Sequence, residues 1–252
     1  MKKKNMLTIL LITLLISGFP QTTVKADELS RQEYEMKGDV VWEGKTTKKM
    51  VALTFDDGPH ELYTGQILDI LAKHRMKATF FVSGSKIERH PEVLYRVFKE
   101  GHEIGNHTYN HIYNKHITSG KLEKELLDTE RIIQKVTGQK PTLYRPVGGL
   151  FNNRMIETAV KNGYKVVLWS WHQDPKDWRS PGADRIANHI IKNIRPGDII
   201  LLHDWRQNAQ TVKAMEKVAD FLDQEEYQCV TVSEMIYQSD PSQPKTFFSP
   251  ES

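Results

Sequence analysis

Two adjacent carboxylates, Asp56 and Asp57, follow the apolar run Met50–Phe55 and lead straight into Gly58-Pro59. Successive residues of a regular strand face opposite ways, so both acids can share one site only where the strand breaks into a turn, and Gly-Pro supplies that break. Close carboxylates repel unless a cation neutralises one, which leaves the other free as a base. Turn chemistry alone also accounts for an Asp-Asp-Gly-Pro sequence. A second cluster, His107-Thr108-Tyr109-Asn110-His111, spaces two imidazoles by four residues, which predicts that both lie on one side of a helical turn. In a chain with ten histidines that pair means little by itself. Joined to Asp57, however, His107 and His111 make a facial set of three ligands with positions left open for water and substrate. His203 ends the apolar run Ile199-Ile200-Leu201-Leu202 and precedes Asp204. A lone histidine at such a place is usually a satisfied core residue, yet an imidazole also titrates near neutral pH and can give a proton to a leaving group. Arg145-Pro146 and Asp174-Pro175-Lys176-Asp177-Trp178 complete the polar clusters. An arginine buried beside carboxylates would lower their pKa and fix their orientation, a role compatible with a structural ion pair.

Positioning these groups requires a repeating framework. Short β-rich runs occur at Met50–Phe55, Ala78–Val82, Glu103–Gly105, Thr142–Tyr144, Lys165–Trp169, Asp198–Leu202 and Cys229–Val232. Between them, helical spacing marks Glu61–His74, Pro91–Glu100, Ser119–Val136, Asn153–Asn162, Ala183–Asn193 and Ala209–Gln224. Gly101, Gly138 and Gly163 close helices, and Pro91 opens one. Strict alternation of strand and helix demands parallel strands and right-handed crossovers. Seven such strands fit a distorted or incompletely closed (β/α) barrel better than an open doubly wound sheet. The polar clusters fall just after strands of this pattern, where a barrel of this kind builds its active site.

On these residues the sequence resembles the polysaccharide deacetylases of carbohydrate esterase family four, the nodulation-protein-B-like domain. Five motifs appear in the family's order across nearly the whole domain. The resemblance implies that Asp56 is the general base and that Asp57, His107 and His111 hold a divalent metal, usually zinc. It implies further that His203 is the general acid and Leu201 lines the acetyl pocket. Arg145 would orient the base, Asp177 would hold the arginine, and Trp178 would wall the pocket. One motif departs: the family's Arg-Pro-Pro-aromatic-Gly is here Arg145-Pro146-Val147-Gly148-Gly149. Gly148 can still offer its backbone N–H to an oxyanion, so the departure touches a sugar contact and the stiffness of the loop more than the chemistry.

Composition sets the outer bounds. The chain has 252 residues, 27% charged and 38% hydrophobic, which excludes disorder, collagen and coiled coil. Residues 1–26 run from Lys2-Lys3-Lys4 through an apolar stretch to Val24-Lys25-Ala26 and read as a secretory signal peptide, too short for a comfortable membrane span. An uncleaved anchor is the competing reading. This leader holds four lysines and no acid, so 31 basic residues face 32 acidic ones without it, and nothing points to nucleic acid. Residues 27–49 are expected to be a polar linker, 50–238 the catalytic domain and 239–252 a loose tail rich in Ser and Pro. The only cysteine, Cys229, leaves the chain without an intramolecular disulfide. Together these features predict a secreted or cell-wall-associated monomer acting on a polysaccharide. The preferred substrate is the N-acetylglucosamine of peptidoglycan, with Trp169, Trp171, Trp178 and Trp205 as rings that either stack on sugars or fill the barrel. Chitin oligomers, poly-N-acetylglucosamine and acetylated xylan remain open, as does a non-catalytic glycan-binding protein on the same fold. An iron(II) oxygenase also uses two histidines and a carboxylate but needs neither Asp56 nor His203 at a strand end.

Overall fold

The computed structural model describes residues 29–205 and 209–239. The expected leader, 1–26, and the expected tail beyond Ser239 lie outside the described residues. The strands are β1 (Val40–Val41), β2 (Met50–Asp56), β3 (Ala78–Val82), β4 (Glu103–Asn106), β5 (Leu143–Tyr144), β6 (Lys165–Val167), β7 (Ile199–His203) and β8 (Gln228–Cys229). The helices are α1 (Arg31–Lys37), α2 (Tyr63–Lys73), α3 (Gly84–Ile87), α4 (Pro91–Lys99), α5 (Ser119–Thr137), α6 (Asn153–Lys161), α7 (Ala183–Asn193), α8 (Ala209–Gln224) and α9 (Val232–Ser239). The strands pair in the order β1-β6-β5-β4-β3-β2-β7, with β8 joined to the start of β2, and every ladder is parallel. The edges β1 and β7 share no ladder. Single contacts lace that side of the wall instead: a bridge between Glu43 and Asp198, Gly44 N–H to Gly197 O at 2.8 Å, and Ser170 N–H to Ile199 O at 3.0 Å. The result is the incompletely closed (β/α) barrel that the alternating pattern predicts.

Side-chain parity divides the core in two. Val51, Leu53 and Phe55 of β2, with Ile200 and Leu202 of β7, pack outward against the helices, whereas Met50, Ala52, Ile199 and Leu201 fill the barrel. Period-two alternation continues the inner row of β2 through Thr54 to Asp56 and that of β7 to His203. The same alternation that fills the barrel therefore delivers an acid and an imidazole to its mouth.

Three expectations need correction. Residues 27–49 are not a linker throughout: Ser30 and Glu33 form a reciprocal capping box on α1, Val40 and Val41 pair with β6, and Tyr34 and Trp42 are buried in the inner core. Their few apolar residues sit among many charges, which hides the period. The last expected strand, Cys229–Val232, ends at Cys229, and Val232 begins α9. There the first helical N–H groups find acceptors, Val232 N–H on Thr79 Oγ1 at 2.9 Å and Ser233 N–H on the buried Glu103 carboxylate at 3.1 Å, so a helix start satisfies them better than a strand would. The run Lys165–Trp169 leaves the ladder after Val167 because Arg145 takes the carbonyls of Val167 and Leu168, at 3.2 and 2.9 Å.

Trp42, 1% exposed, reports on the first correction. Trp42→Ala is expected to lower the free energy of unfolding by about 3–5 kcal/mol, the usual cost of emptying a buried aromatic site. Urea denaturation checks this, and unchanged stability would return the segment to a linker.

Candidate active site

Asp56 and Asp57 are neighbours in sequence but belong to different networks. Asp56 continues the strand and points into the barrel, where Arg145 Nη1 donates to its Oδ1 at 2.7 Å. Arg145 is fully buried, and its remaining donors reach Thr54 Oγ1 at 2.8 Å and the carbonyls of Val167 and Leu168, with its guanidinium carbon 4.1 Å from the centre of the Phe81 ring. Asp57 takes a left-handed backbone conformation, φ 77°, which turns its side chain out of the strand's alternation. Lys86 Nζ donates to the Asp57 carbonyl at 2.6 Å and lies 3.6 Å from the centre of the Trp205 ring. A side chain at Gly58 would overlap the carboxylate of Asp204, so only glycine lets this turn close over that buried acid. Thr64 Oγ1 donates to Asp204 at 2.5 Å, and burial first, opposed by that hydrogen bond, pushes the Asp204 carboxyl up to about 7.

His107 and His111 meet Asp57 from the loop after β4. Asp57 Oδ1 lies 2.7 Å from His111 Nε2 and 3.3 Å from His107 Nε2, and the three ligand atoms lie within 4.8 Å of one another. His107 Nδ1 contacts the Arg145 carbonyl at 2.8 Å; a carbonyl only accepts, so Nδ1 carries a proton and Nε2 is the ring atom turned towards Asp57. Two imidazole nitrogens converging on a carboxylate oxygen suit a cation between them, and the donor set of two imidazoles and one carboxylate fits a divalent metal. Burial opposes ionisation of Asp57, but the hydrogen bonds from His107 and His111 and nearby positive charge outweigh it and hold the carboxyl well below the usual range.

The expected helical turn at His107 and His111 is absent. Thr108 and His111 have φ of 66° and 54°, and an open loop carries both rings. A buried acid that the motif reading missed fixes this loop. Glu125 of α5 accepts from the backbone N–H of Tyr109 at 3.0 Å and of Asn110 at 2.7 Å, and from the Asn110 side chain at 2.8 Å. Its signal was present in the sequence, since Glu125 interrupts the apolar stripe Leu122, Leu126 and Ile133 with a charge.

Asp177 also departs from expectation. It does not hold Arg145; Oδ1 accepts from His203 Nδ1 at 2.7 Å, and Oδ2 accepts from His203 N–H at 2.9 Å and Thr211 Oγ1 at 2.8 Å. Arg145 spends its donors on Asp56, Thr54 and β6, while the short 3-10 turn at Asp177–Arg179 delivers the carboxylate to the end of β7. Burial alone would lower the His203 pKa, yet the charge and hydrogen bond of Asp177, with smaller shares from Asp57 and Asp56, raise it to about 9. Leu201 lines the inner wall two residues earlier. Trp178 stands at the rim, 53% exposed, and Trp171 is also exposed, whereas Trp169 is buried under Gly149. Gly148 adopts a left-handed φ of 61° in a tight turn after β5.

A barrel mouth that gathers a possible metal triad, an acid on a buried arginine and an imidazole on a buried acid defines a hydrolase site. The polysaccharide deacetylase family model matches residues 43–167. A peptidoglycan-N-acetylglucosamine deacetylase of Bacillus cereus is 46% identical over 209 residues, 82% of this chain and 98% of that one. PdaC of Bacillus subtilis, a peptidoglycan-N-acetylmuramic acid deacetylase, is 38% identical over 75% of this chain and 39% of its own length. The crystal structure of the Bc1960 peptidoglycan N-acetylglucosamine deacetylase superposes with a TM-score of 0.77 at 32% identity, covering 82% of this chain and 97% of that one. This chain belongs to the polysaccharide deacetylase family, carbohydrate esterase family four, and is a hydrolytic N-deacetylase of that class.

The His203–Asp177 pair makes the expected general-acid role testable by pH. With His203 as the proton donor that the motif resemblance implies, its raised pKa keeps the donating form below about pH 9, and acetate release is expected to fall as pH rises through that value. Asp177→Asn removes the largest raising influence and leaves burial, and is expected to move the alkaline limb of kcat/KM down by about one unit or more. A limb that stays in place would separate His203 from proton donation.

Proposed function

We propose that this chain is an exported enzyme that removes N-acetyl groups from N-acetylglucosamine residues of peptidoglycan. The observation that carries the reading is the convergence of Asp57, His107 and His111 beside two separately braced proton carriers, Asp56 on Arg145 and His203 on Asp177. Similarity to a named peptidoglycan-N-acetylglucosamine deacetylase over nearly its full length supports the substrate. The basic and then apolar residues 1–26 support export, and no described helix is long and apolar enough to cross a membrane. We take the protein to act as a monomer at the cell surface or wall.

The roles follow from where each group sits. Asp57, His107 and His111 would hold a divalent cation, most simply zinc, whose chemistry is to polarise the acetamide carbonyl and lower the pKa of water towards about 7. Asp56, held in one orientation by Arg145, takes the proton of the attacking water. A bond forms between that water's oxygen and the acetyl carbon, and the Gly148 N–H donates to the oxygen that gains charge. His203 gives its proton to the nitrogen as the carbon–nitrogen bond breaks, because an amine anion is a very poor leaving group. Acetate and a free glucosamine amine remain. Leu201 packs on the acetyl methyl, and Trp178 offers a ring at the rim.

Acetate release from peptidoglycan, chitin oligomers and acetylxylan by the zinc-loaded protein, with and without chelator, tests the reading. Chelator-sensitive release, fastest from peptidoglycan, is expected. Preference for acetylxylan would favour an O-acetyl esterase, and bound metal with no release from any polymer would contradict deacetylation.

A further inference from the structure

Among the described residues, four aromatic side chains are largely exposed: Tyr95, Tyr113, Trp171 and Trp178. Tyr95 lies on helix α4, away from the strand ends, whereas Tyr113 stands two residues after His111 in the loop that brings His107 and His111 to Asp57. It is 68% exposed, and one edge of its ring is seated: a Cβ built on Gly148 would overlap the Cδ2–Cε2 edge of Tyr113, so the absence of a side chain at Gly148 creates the seat. The two loops are tied, since Asn152 Nδ2 donates to the Lys115 carbonyl at 2.7 Å and Ile112 packs into the inner core beside Tyr113. The ring is therefore held at one edge and leaves most of its surface to solvent at the mouth of the site. Burial in the fold explains little of such a residue, because two thirds of its surface remains in water.

We infer that Tyr113 is a specificity-determining platform on which the apolar face of a pyranose ring stacks, so that the enzyme grips the sugar next to the one it deacetylates. The inference rests on the glycan reading above. Its basis in the fold is position: β2, which leads into Asp57, lies between β4 and β7 in the sheet order, with Tyr113 on the β4 side and Trp178, beside Asp177, on the β7 side. Two exposed rings flanking one acid pair suit a chain of repeating sugars better than a small compact substrate, since tyrosine and tryptophan offer broad apolar faces at a wet surface. The Gly148-Gly149 pair fits the same logic. Gly149 closes over Trp169, with an added Cβ 2.6 Å from that ring, while Gly148 closes against the edge of Tyr113, so rings from elsewhere in the fold lie against the glycine pair, which itself carries none.

Binding of an N-acetylglucosamine pentamer by isothermal titration, beside steady-state acetate release from it, tests the inference with Tyr113→Ala, Tyr113→Phe and Tyr113→Trp. Tyr113→Ala is expected to weaken binding and raise KM by about tenfold with a much smaller effect on kcat, the size of losing part of one ring's apolar burial, while Phe and Trp restore both. Melting temperatures of the variants close to wild type show that the effect is local. Pentamer binding by Tyr113→Ala within about twofold of wild type would overturn the inference, even with the wild type releasing acetate normally. Tight wild-type binding without acetate release would instead defeat the deacetylase reading, and the ratio between wild type and Tyr113→Ala would still decide this one. No wild-type binding would overturn it as well.

Discussion

Arg145, buried without solvent contact, is the interaction on which the rest of the site depends. Its guanidinium joins β2, through Thr54 and Asp56, to the carbonyls at the end of β6, and its own carbonyl accepts from His107. One residue thus ties three walls of an incompletely closed barrel, orients one acid and fixes which nitrogen of His107 faces Asp57. Such a pair is costly to leave half made: removing one partner of a buried ion pair typically costs about 3–5 kcal/mol, against about 0–1 kcal/mol for an exposed pair such as Lys124 with Asp128. The arrangement therefore constrains both stability and chemistry.

From that constraint follows the division of labour between neighbouring acids. Held on Arg145, Asp56 keeps its place in the strand's alternation, and Asp57 escapes that alternation only through its left-handed backbone and the glycine behind it. One carboxylate meets an arginine and the other meets imidazoles, so two chemically identical groups acquire different partners within a few ångströms. His107 and His203 divide in the same way. His107 sets Nδ1 on a carbonyl and turns Nε2 towards Asp57, whereas His203 sets Nδ1 on a buried carboxylate, whose charge and hydrogen bond raise its pKa to about 9.

Most of this architecture was legible because buried parallel strands read as continuous apolar runs: Ala78–Val82 coincides with β3, and Ala183–Asn193 and Ala209–Gln224 coincide with α7 and α8. What escaped lies in segments whose anchoring comes from far along the chain. α1 and β1 owe their place to β6, more than a hundred residues away, and their own composition is that of a solvated linker. Spacing identified His107 and His111 but mistook their geometry, since the loop is shaped by Glu125 rather than by local helical propensity. Motif resemblance named Asp177 but gave it the wrong partner, because which buried acid meets which cation depends on how a 3-10 turn lands against β7. The Val147-Gly148-Gly149 departure read as a loss of stiffness, and only the position of Tyr113 shows what fills the space beside it.

The division between the paired acids is the central claim, and comparing Asp56→Asn with Asp57→Asn for bound metal and for acetate release tests it most directly. The account predicts that Asp56→Asn retains one equivalent of metal and loses turnover, while Asp57→Asn loses both. Loss of metal in Asp56→Asn, or near-normal turnover in that variant, would contradict it.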